Sequence, residues 1–578
     1  MAPFLANSQN TIGETRTNQV SVNTAADDVA NTAQHTYSNQ VEDHAIDTEF
    51  LIVGAGPAGA ALACFLGSYG LKGIMISSAS GTVNTPRAHI TNMAALVLEP
   101  VLVRHAALKG FKCRFHTTLL SFSNDEKTGF IIASIRDEIS THEYRIRTKY
   151  LLGADGARSQ VVKELNLPLA VLPGQGSAIN VLVKAEISHL VKNRTGNLHW
   201  VMQPDRDHPN FGWMAIVRMV KPWNEWMFIL FPDRSYDRSQ SKPSMEEYQK
   251  RVQEFIGDDT PVEILDISFW HINETVAEKY SEGKIDPAFS FCLGDAVHRH
   301  PPLNGLGSNT CIQDAFNLAW KLAYVCQGLA SPSLLSTYSS ERQPVGHSVV
   351  TRANQAFRDH FHVWDALGML PADVSDRKQM LEELKSATPQ GSNRRRALRE
   401  AIKHTSHEFH GLGVEMNQHY EGRGIYSTDE AQPYRQFGRA AEDKVLYHEP
   451  STYPGSRLPH VWLNKATPEK PISTIDLAGH GLFTLLTGIG GEAWKEAAGT
   501  VAKKLKIPIQ ACSIGFRQDW EDVYFEWETV RGVEESGAVL VRPDRFIAWR
   551  ALKALQDSTA CERKLLTVMR SVLGFENL

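Results

Sequence analysis

The tightest constraint on this chain is its first glycine-rich segment. The apolar run Phe50-Leu51-Ile52-Val53 leads into Gly54-Ala55-Gly56-Pro57-Ala58-Gly59, and the uncharged stretch Ala60 to Leu66 follows at once. A strand that turns into a helix over so few residues needs small ones, and the bare N–H groups at the start of such a helix suit a pyrophosphate. No charged residue occurs from Phe50 to Leu71. That length would fit a membrane span, but the interior Gly54, Gly56, Pro57 and Gly59 favour a buried strand, turn and helix. A helix over Ala60 to Gly70 and a strand at Gly73 to Ser77 complete a βαβ unit. Alone, the motif is weak evidence for any ligand.

A second segment, Leu293 to Asn309 (LGDAVHRHPPLNGLGSN), lies more than two hundred residues on and changes the weight of the first. Its Gly294 and Asp295 end an apolar strand, Phe289 to Leu293, where the carboxylate can accept from a ribityl hydroxyl. Pro302, Gly305, Gly307, Ser308 and Asn309 then place bare N–H groups at the start of a helix expected over Ile312 to Ala330. Such a helix end suits the electron-rich pyrimidine edge of a reduced flavin. Between the two segments, Gly153-Ala154-Asp155-Gly156-Ala157-Arg158-Ser159 follows another apolar strand. Asp155 there either accepts from a ribose or nicotinamide-side hydroxyl, with Gly156 admitting backbone contact, or closes an ordinary strand-end turn. The segments together read as parts of one flavin dinucleotide site.

The 578 residues, 42% of them hydrophobic, are enough for two to four domains. A formal charge of -5 argues against a nucleic-acid partner, and the densest basic run, Arg394-Arg395-Arg396, reads as a solvated helix face or loop. Seven cysteines without a CxxC pair fit a reducing compartment. His298 and His300 lack acidic or thiol partners at metal-site spacing, so no metal is expected. Met1 to Glu49 has no apolar core of a secretory signal, and its acids outnumber the lone Arg16, so a cytoplasmic location is expected.

Residues 1–47 are poor in large apolar side chains and read as a disordered tail. Residues 48–177 and 286–367 are expected to form the dinucleotide domain. Short helices over Asn92 to Leu98 and Val101 to Leu108 are separated at Glu99-Pro100, and strands are expected at Phe115 to Ser123, Phe130 to Arg136 and Glu143 to Tyr150. Residues 178–285 carry aromatic-rich runs, Ile179 to Lys184, Trp213 to Val220 and Trp226 to Leu230, which suggest a sheet over a ligand. Residues 368–455 form a helical linker region, with one exposed helix over Lys378 to His407. In residues 456–578, strands Phe483 to Thr487, Ala511 to Ile514 and Ala538 to Val541 alternate with helices over Glu492 to Leu505 and Ala551 to Leu555, an α/β unit.

The order GAGPAG, PRAHITN, GADGARS and GDAVHRHPPLNGLGSNT resembles the flavin-dependent aromatic hydroxylases, most closely the phenol and chlorophenol monooxygenases. The resemblance runs from about Asp47 to Leu578. It implies an α/β fold with a Rossmann-like FAD-binding domain, a β-sheet substrate domain and a C-terminal thioredoxin-like domain, which in such relatives is usually redox-silent. It also implies that NADPH reduces FAD, that dioxygen forms a flavin C4a-hydroperoxide, and that a phenolic or other aromatic ring attacks its distal oxygen. By the same resemblance Gly54, Gly56, Pro57, Gly59, Gly294 and Asp295 hold FAD. Asp155 and Gly156 serve FAD and NADPH, and Pro302 to Asn309 line the flavin ring. Arg87 and His89, in the PRAH loop, reach flavin and substrate, with His89 as base for the phenol proton and Arg87 steadying negative charge; a packed loop histidine is the alternative. A homodimer is common in the family.

Two departures stand out. Ser77 and Ser78 replace the acid expected to bind the adenosine ribose. The run HITNMAALVLEPVLVRHA joins two family segments normally far apart, so an internal stretch near Ala95 to Glu99 is missing. Loss of pocket wall there would expose the flavin to water, which leaves a degenerate flavin-binding protein, or a flavin oxidase or reductase, as alternatives to a hydroxylase.

Overall fold

The computed structural model describes residues 45–575 apart from 83–93, 126–127, 173–175, 194–197, 234, 238, 240–241 and 283–289. The tail reading for residues up to 44, and the whole PRAH loop with Arg87 and His89, lie outside the described residues.

Three sheets organise the chain. The first has eight strands, and five of them run parallel side by side: Lys112–Arg114 at the edge, then the inner four, Gly73–Ile76, Ile46–Val53, Glu143–Gly153 and Ser290–Cys292. The apolar side chains of the inner four are buried on both faces, as a parallel sheet covered by helices requires. Helices Pro57–Ser68 and Gly307–Cys326 pack together over it. The antiparallel pair Thr117–Asp125 and Phe130–Asp137 extends the sheet from Glu143–Gly153.

The second sheet has five antiparallel strands in the order Glu263–His271, Ser177–Lys184, Glu225–Phe231, Met214–Lys221, Leu198–Val201. Period-two alternation gives it two apolar faces. Ile179, Val181, Phe228 and Leu230 pack under helix Met245–Ile256. Met214, Ile216, Ile229 and Phe231 face Leu303 and the long helix Thr337–Ala366.

The last sheet follows the order Ile509–Ser513, Phe483–Thr487, Ala538–Val541, Ile547–Ala551, parallel for the first pair and antiparallel thereafter. With helices Glu492–Leu505 and Ser558–Val572, this forms an α/β layer. It packs onto Trp320 and Tyr324 of helix Gly307–Cys326. A buried charge cluster reinforces that seam. Glu341 accepts from Lys321 Nζ at 2.7 Å and from Arg542 Nη1 at 2.7 Å, and Asn317 bridges Glu341 and Asp544.

Four local expectations differ from the structure. The first strand begins at Ile46, and its helix at Pro57 rather than Ala60, because proline suits the first helical position, where its missing N–H costs nothing. One helix, Ala94–Leu108, runs through Pro100 instead of breaking there, docked on the first helix by Cys64 Sγ to the Leu102 carbonyl. The single helix expected over Lys378 to His407 is two, Val374–Lys385 and Pro389–His404, with Thr388 capping the second through Gly391 N. Ala551 to Leu555 is not helical: Ala551 ends a strand whose partner is Ala538–Val541, and the helix comes later, at Ser558–Val572, where Asp557 supplies a cap.

Candidate active site

The inner four of the parallel strands end together, and each leads within two residues into one of the polar or glycine-rich turns read from the sequence: Val53 into Gly54, Ile76 into Ser77, Gly153 into Asp155, Cys292 into Gly294. Ligands of open α/β sheets bind beyond the carboxyl ends of the strands.

Gly54 sits at φ +109, and a Cβ there would lie 2.1 Å from the Ala154 carbonyl oxygen, so the first and third turns touch through bare backbone. A Cβ on Gly59 would meet the Gly54 carbonyl at 2.0 Å, and one on Gly294 would meet Ala58 at 2.9 Å and Cys311 Sγ at 3.0 Å. Three segments far apart in the chain are therefore in mutual contact. Gly56 differs: a Cβ there would meet nothing within 4 Å. It caps helix Pro57–Ser68 without a side-chain hydrogen bond, so among the described residues no cap side chain covers the start of the helix. An open, backbone-lined, electropositive cradle fits the phosphates of a dinucleotide such as FAD.

Asp295 is exposed beside this cradle, and Cys311 Sγ lies 3.9 Å from its Oδ1. Arg299, half-buried, donates to the carbonyls of Asp295 and Ala296. Burial pulls its guanidinium below its ordinary value, against the charges of Asp295 and Asp155. Arg299 was not singled out in the sequence for a role of its own, although it stands four residues after the Asp it accompanies. The Asp155 carboxylate accepts from Ser159 Oγ at 2.6 Å, Gln160 N at 2.6 Å and Val161 N at 3.2 Å, so it fixes the turn into helix Gln160–Glu164. Gly156 follows at φ +72 with open space beside it. Ser77 follows its strand, with its Oγ accepting from Ala79 N.

Beyond the turn, Asn304 is buried at φ 61 and donates from Nδ2 to the carbonyls of His407 and Glu408, which pins the Pro302–Gly305 stretch to the segment after Thr405. Asn309 Nδ2 donates back to the Gly305 carbonyl. Gly307 opens the long helix, with the His300 ring 3.7 Å from where its Cβ would be. Burial lowers the His300 pKa, and its Nδ1 lies 2.7 Å from the Pro301 carbonyl. His298 is paired with Asp314 at 2.8 Å, and Asp314 also accepts from Arg342. Arg394 pairs with Glu383, and Arg395 donates to the Leu384 and Ser386 carbonyls, so the basic run braces its own helix pair.

Next to Pro301, Pro302 and Leu303 lies a cavity whose remaining wall, among the described residues, is almost wholly apolar. Trp200, Ile216, Ile229, Phe231 and Trp270 come from the five-stranded sheet, Phe357 from the long helix. None of these was singled out individually. Their meeting depends on strands up to 70 residues apart and on a helix residue 87 positions beyond the last of them, and aromatic enrichment of the region was the available signal. Cleft and cavity thus share one loop, as an enzyme that brings a bound cofactor up to an apolar substrate requires.

Comparison with known proteins agrees. Residues 47–98 and 91–353 match the FAD binding domain family, and 451–575 match the C-terminal region of aromatic-ring hydroxylases. The chain is 39% identical to a 2,4-dichlorophenol 6-monooxygenase of Delftia acidovorans, over 88% of this chain and 95% of that one. It is 35% identical to a phenol 2-monooxygenase of a Pseudomonas species, over 89% and 92%. Among solved structures, the flavin-dependent monooxygenase PieE, in complex with FAD and substrate, superposes with a TM-score of 0.82 at 32% identity, over 92% of this chain and 99% of that one. The fold and the paired cleft and cavity define an FAD-dependent oxidoreductase. The chain belongs to the aromatic-ring hydroxylases of that class and is a flavin-dependent aromatic monooxygenase.

The two FAD-domain matches overlap at 91–98, where HITNMAALVLEP joins its halves. In the Delftia alignment, 88% of 578 residues leaves about seventy of the 580 aligned positions without a residue of this chain.

Proposed function

We propose that this enzyme uses NADPH and dioxygen to hydroxylate a phenol, with the ring bound in the apolar cavity beside Pro301–Leu303. The observation that carries the reading is the shared loop: the segment that opens the flavin helix also walls the cavity. The relatives' names, a dichlorophenol and a phenol monooxygenase, supply the substrate class. Gly54, Gly56, Pro57, Gly59 and Asp295 would hold FAD, Asp155 orders the adjoining turn, and Gly305 to Asn309 would face the isoalloxazine. Bound FAD supplies electron transfer from the nicotinamide and delivery of one oxygen atom to the ring.

The chain's own residues do the rest. The sheet and Pro301–Leu303 exclude water and stack the aromatic ring, and the low polarity lengthens the life of reactive oxygen species against side reactions. His89 takes the phenol proton as general base and Arg87 steadies the developing negative charge. A homodimeric state follows the same family resemblance.

The test is direct. Purified protein should be yellow, and a phenol panel should stimulate NADPH oxidation with incorporation of one atom from labelled dioxygen into the product. Colourless protein that takes up no FAD, or NADPH oxidation yielding only peroxide, would replace this reading. His89→Asn should slow ring hydroxylation more than flavin reduction.

A further inference from the structure

We propose that Glu408, held in place by His360, accepts the hydroxyl hydrogen of the phenolic substrate in the apolar cavity; this rests on the cavity being the substrate site. Among the described residues, the side chains lining the cavity are apolar or aromatic apart from Glu408. A cavity of that kind orients its ligand through the few polar groups it has.

Glu408 is built to stay there. Its Oε2 lies 2.6 Å from His360 Nε2, and both side chains are over nine-tenths buried. The His360 ring is itself wedged against Trp200, with centroids 4.4 Å apart, and stacks on Trp364. The backbone of Glu408 is fixed by Asn304, the residue whose loop contributes Pro302 and Leu303 to the same cavity. With Oε2 engaged by His360, Oε1 has no protein partner among the described residues. That leaves the pair one acceptor oxygen for a donor that enters the otherwise apolar cavity. A neutral phenol brings one hydroxyl donor on an otherwise apolar ring.

The chemistry needs no proton transfer at this stage. A phenol titrates near the range of tyrosine, so the carboxylate accepts a hydrogen bond and does not remove the proton. The accepted bond still raises electron density at the ring carbons ortho and para to the hydroxyl, which favours attack on an electrophilic oxygen. His360 is a positioning residue: it sets which Glu408 oxygen is free. The other titratable groups packed around this pair are Asp359 and His404, 3.2 Å apart, and His407, bound to Asp443. A single hydroxyl has one hydrogen to give, so Glu408 and His89 are rival acceptors and the experiment must separate them.

Calorimetric titration of the FAD-loaded, oxidised protein with phenol and with anisole, its methyl ether, reads hydrogen-bond donation apart from ring burial and apart from turnover. Wild type should prefer phenol by roughly tenfold or more. Glu408→Leu should abolish that preference while leaving anisole affinity unchanged. Glu408→Gln, which preserves shape, should retain part of it, and His360→Leu should reduce it, with recovery in His360→Gln. If Glu408→Leu and Glu408→Gln keep the full preference while His89→Asn removes it, the assignment to Glu408 is overturned. Equal loss for phenol and anisole makes Glu408 a wall residue and overturns it as well. Wild type that binds neither compound, although its flavin is retained, defeats the reading of the cavity and this proposal together; a phenol preference in a protein that incorporates no oxygen defeats only the proposed reaction.

Discussion

The cofactor cleft and the aromatic cavity adjoin across one loop, yet they are made of different material. The cleft is backbone: glycines at Gly54, Gly59 and Gly294 bring three distant turns within contact, and an added carbon at any of them meets atoms at 3.0 Å or less. The cavity is side chain: Trp200, Phe231, Trp270 and Phe357, drawn from three strands and a helix. Backbone sites tolerate no substitution where chains touch, whereas side-chain sites trade stability against fit. A cofactor common to a family can be held by the first kind of site, and a variable substrate needs the second.

The hardest test of that contrast is Gly54→Ala. The new Cβ would sit 2.1 Å from the Ala154 carbonyl oxygen, in backbone that cannot yield, and the φ of +109 adds strain. We expect more than about 4 kcal/mol of destabilisation and loss of soluble, flavin-bearing protein, read by yield and thermal melting. A variant that melts like wild type would show that the turns are not in contact.

The cleft's long helix can be loosened from behind, without touching cleft or cavity. Glu341 is fully buried; burial alone would raise its pKa, but Arg542 and Lys321 overrule it and hold the carboxyl at about 2 against an ordinary 4.5. A lowered folded value means the stabilisation is complete above the unfolded value and is lost as pH falls from about 4.5 towards 2. That window is worth roughly 3 kcal/mol. Glu341→Gln should cost about 3–5 kcal/mol near neutrality, since Arg542 keeps its charge with one carboxylate fewer and Lys321, which burial already pulls down to about 8, loses the partner that holds its proton, and should flatten the acid limb of a melting-temperature profile. An acid limb as steep as that of wild type would assign the acid sensitivity to other carboxylates.

The same contrast explains what could be read from the sequence. The cleft was legible because each of its turns is a short local motif at a strand end, where spacing alone says that a glycine or an acid is wanted. Gly54 to Gly59, Asp155 with Gly156, and Gly294 with Asp295 were all nameable before any fold was known, and the three sheets were foreshadowed by Phe50 to Val53, Trp226 to Leu230 and Phe483 to Thr487. The cavity was not legible in detail. Trp200 and Phe357 share no motif, and they meet because one strand face and one helix face pack together. Glu408 and His360 were invisible for the same reason, being 48 residues apart on helices whose packing no local pattern specifies. The expected helix at Ala551 to Leu555 failed differently: Ala551 pairs with Ala538, a cross-strand partner that overrides helix propensity.

A cavity-side change should show the opposite balance to Gly54→Ala. Phe231 is buried between Trp200 and Phe357, with centroids 5.9 and 5.8 Å away. Phe231→Ala should cost about 3 kcal/mol, at the low end for a buried phenylalanine because part of the ring already faces open space. Flavin content should be unchanged, while phenol affinity falls and NADPH oxidation becomes uncoupled from oxygen incorporation. Loss of flavin together with phenol affinity would mean that the two regions are energetically one.

The smallest effect on stability comes from Gly56→Ala, and it separates folding from binding most cleanly. Gly56 has φ -69 and ψ -177, which alanine adopts without strain, and its added Cβ would meet nothing within 4 Å. As the residue before the helix it costs less than about 1 kcal/mol to replace. The methyl group would nonetheless stand in the space where phosphates must approach the helix N–H groups. We therefore expect a protein that melts within a few degrees of wild type as the apoprotein, keeps its aromatic cavity, and binds FAD at least about tenfold more weakly, which is only about 1.4 kcal/mol of lost interaction. Flavin titration of the two apoproteins by fluorescence quenching measures this directly. Equal affinities would place the dinucleotide elsewhere than over the start of helix Pro57–Ser68, and the backbone-built cleft would then lose its assigned occupant.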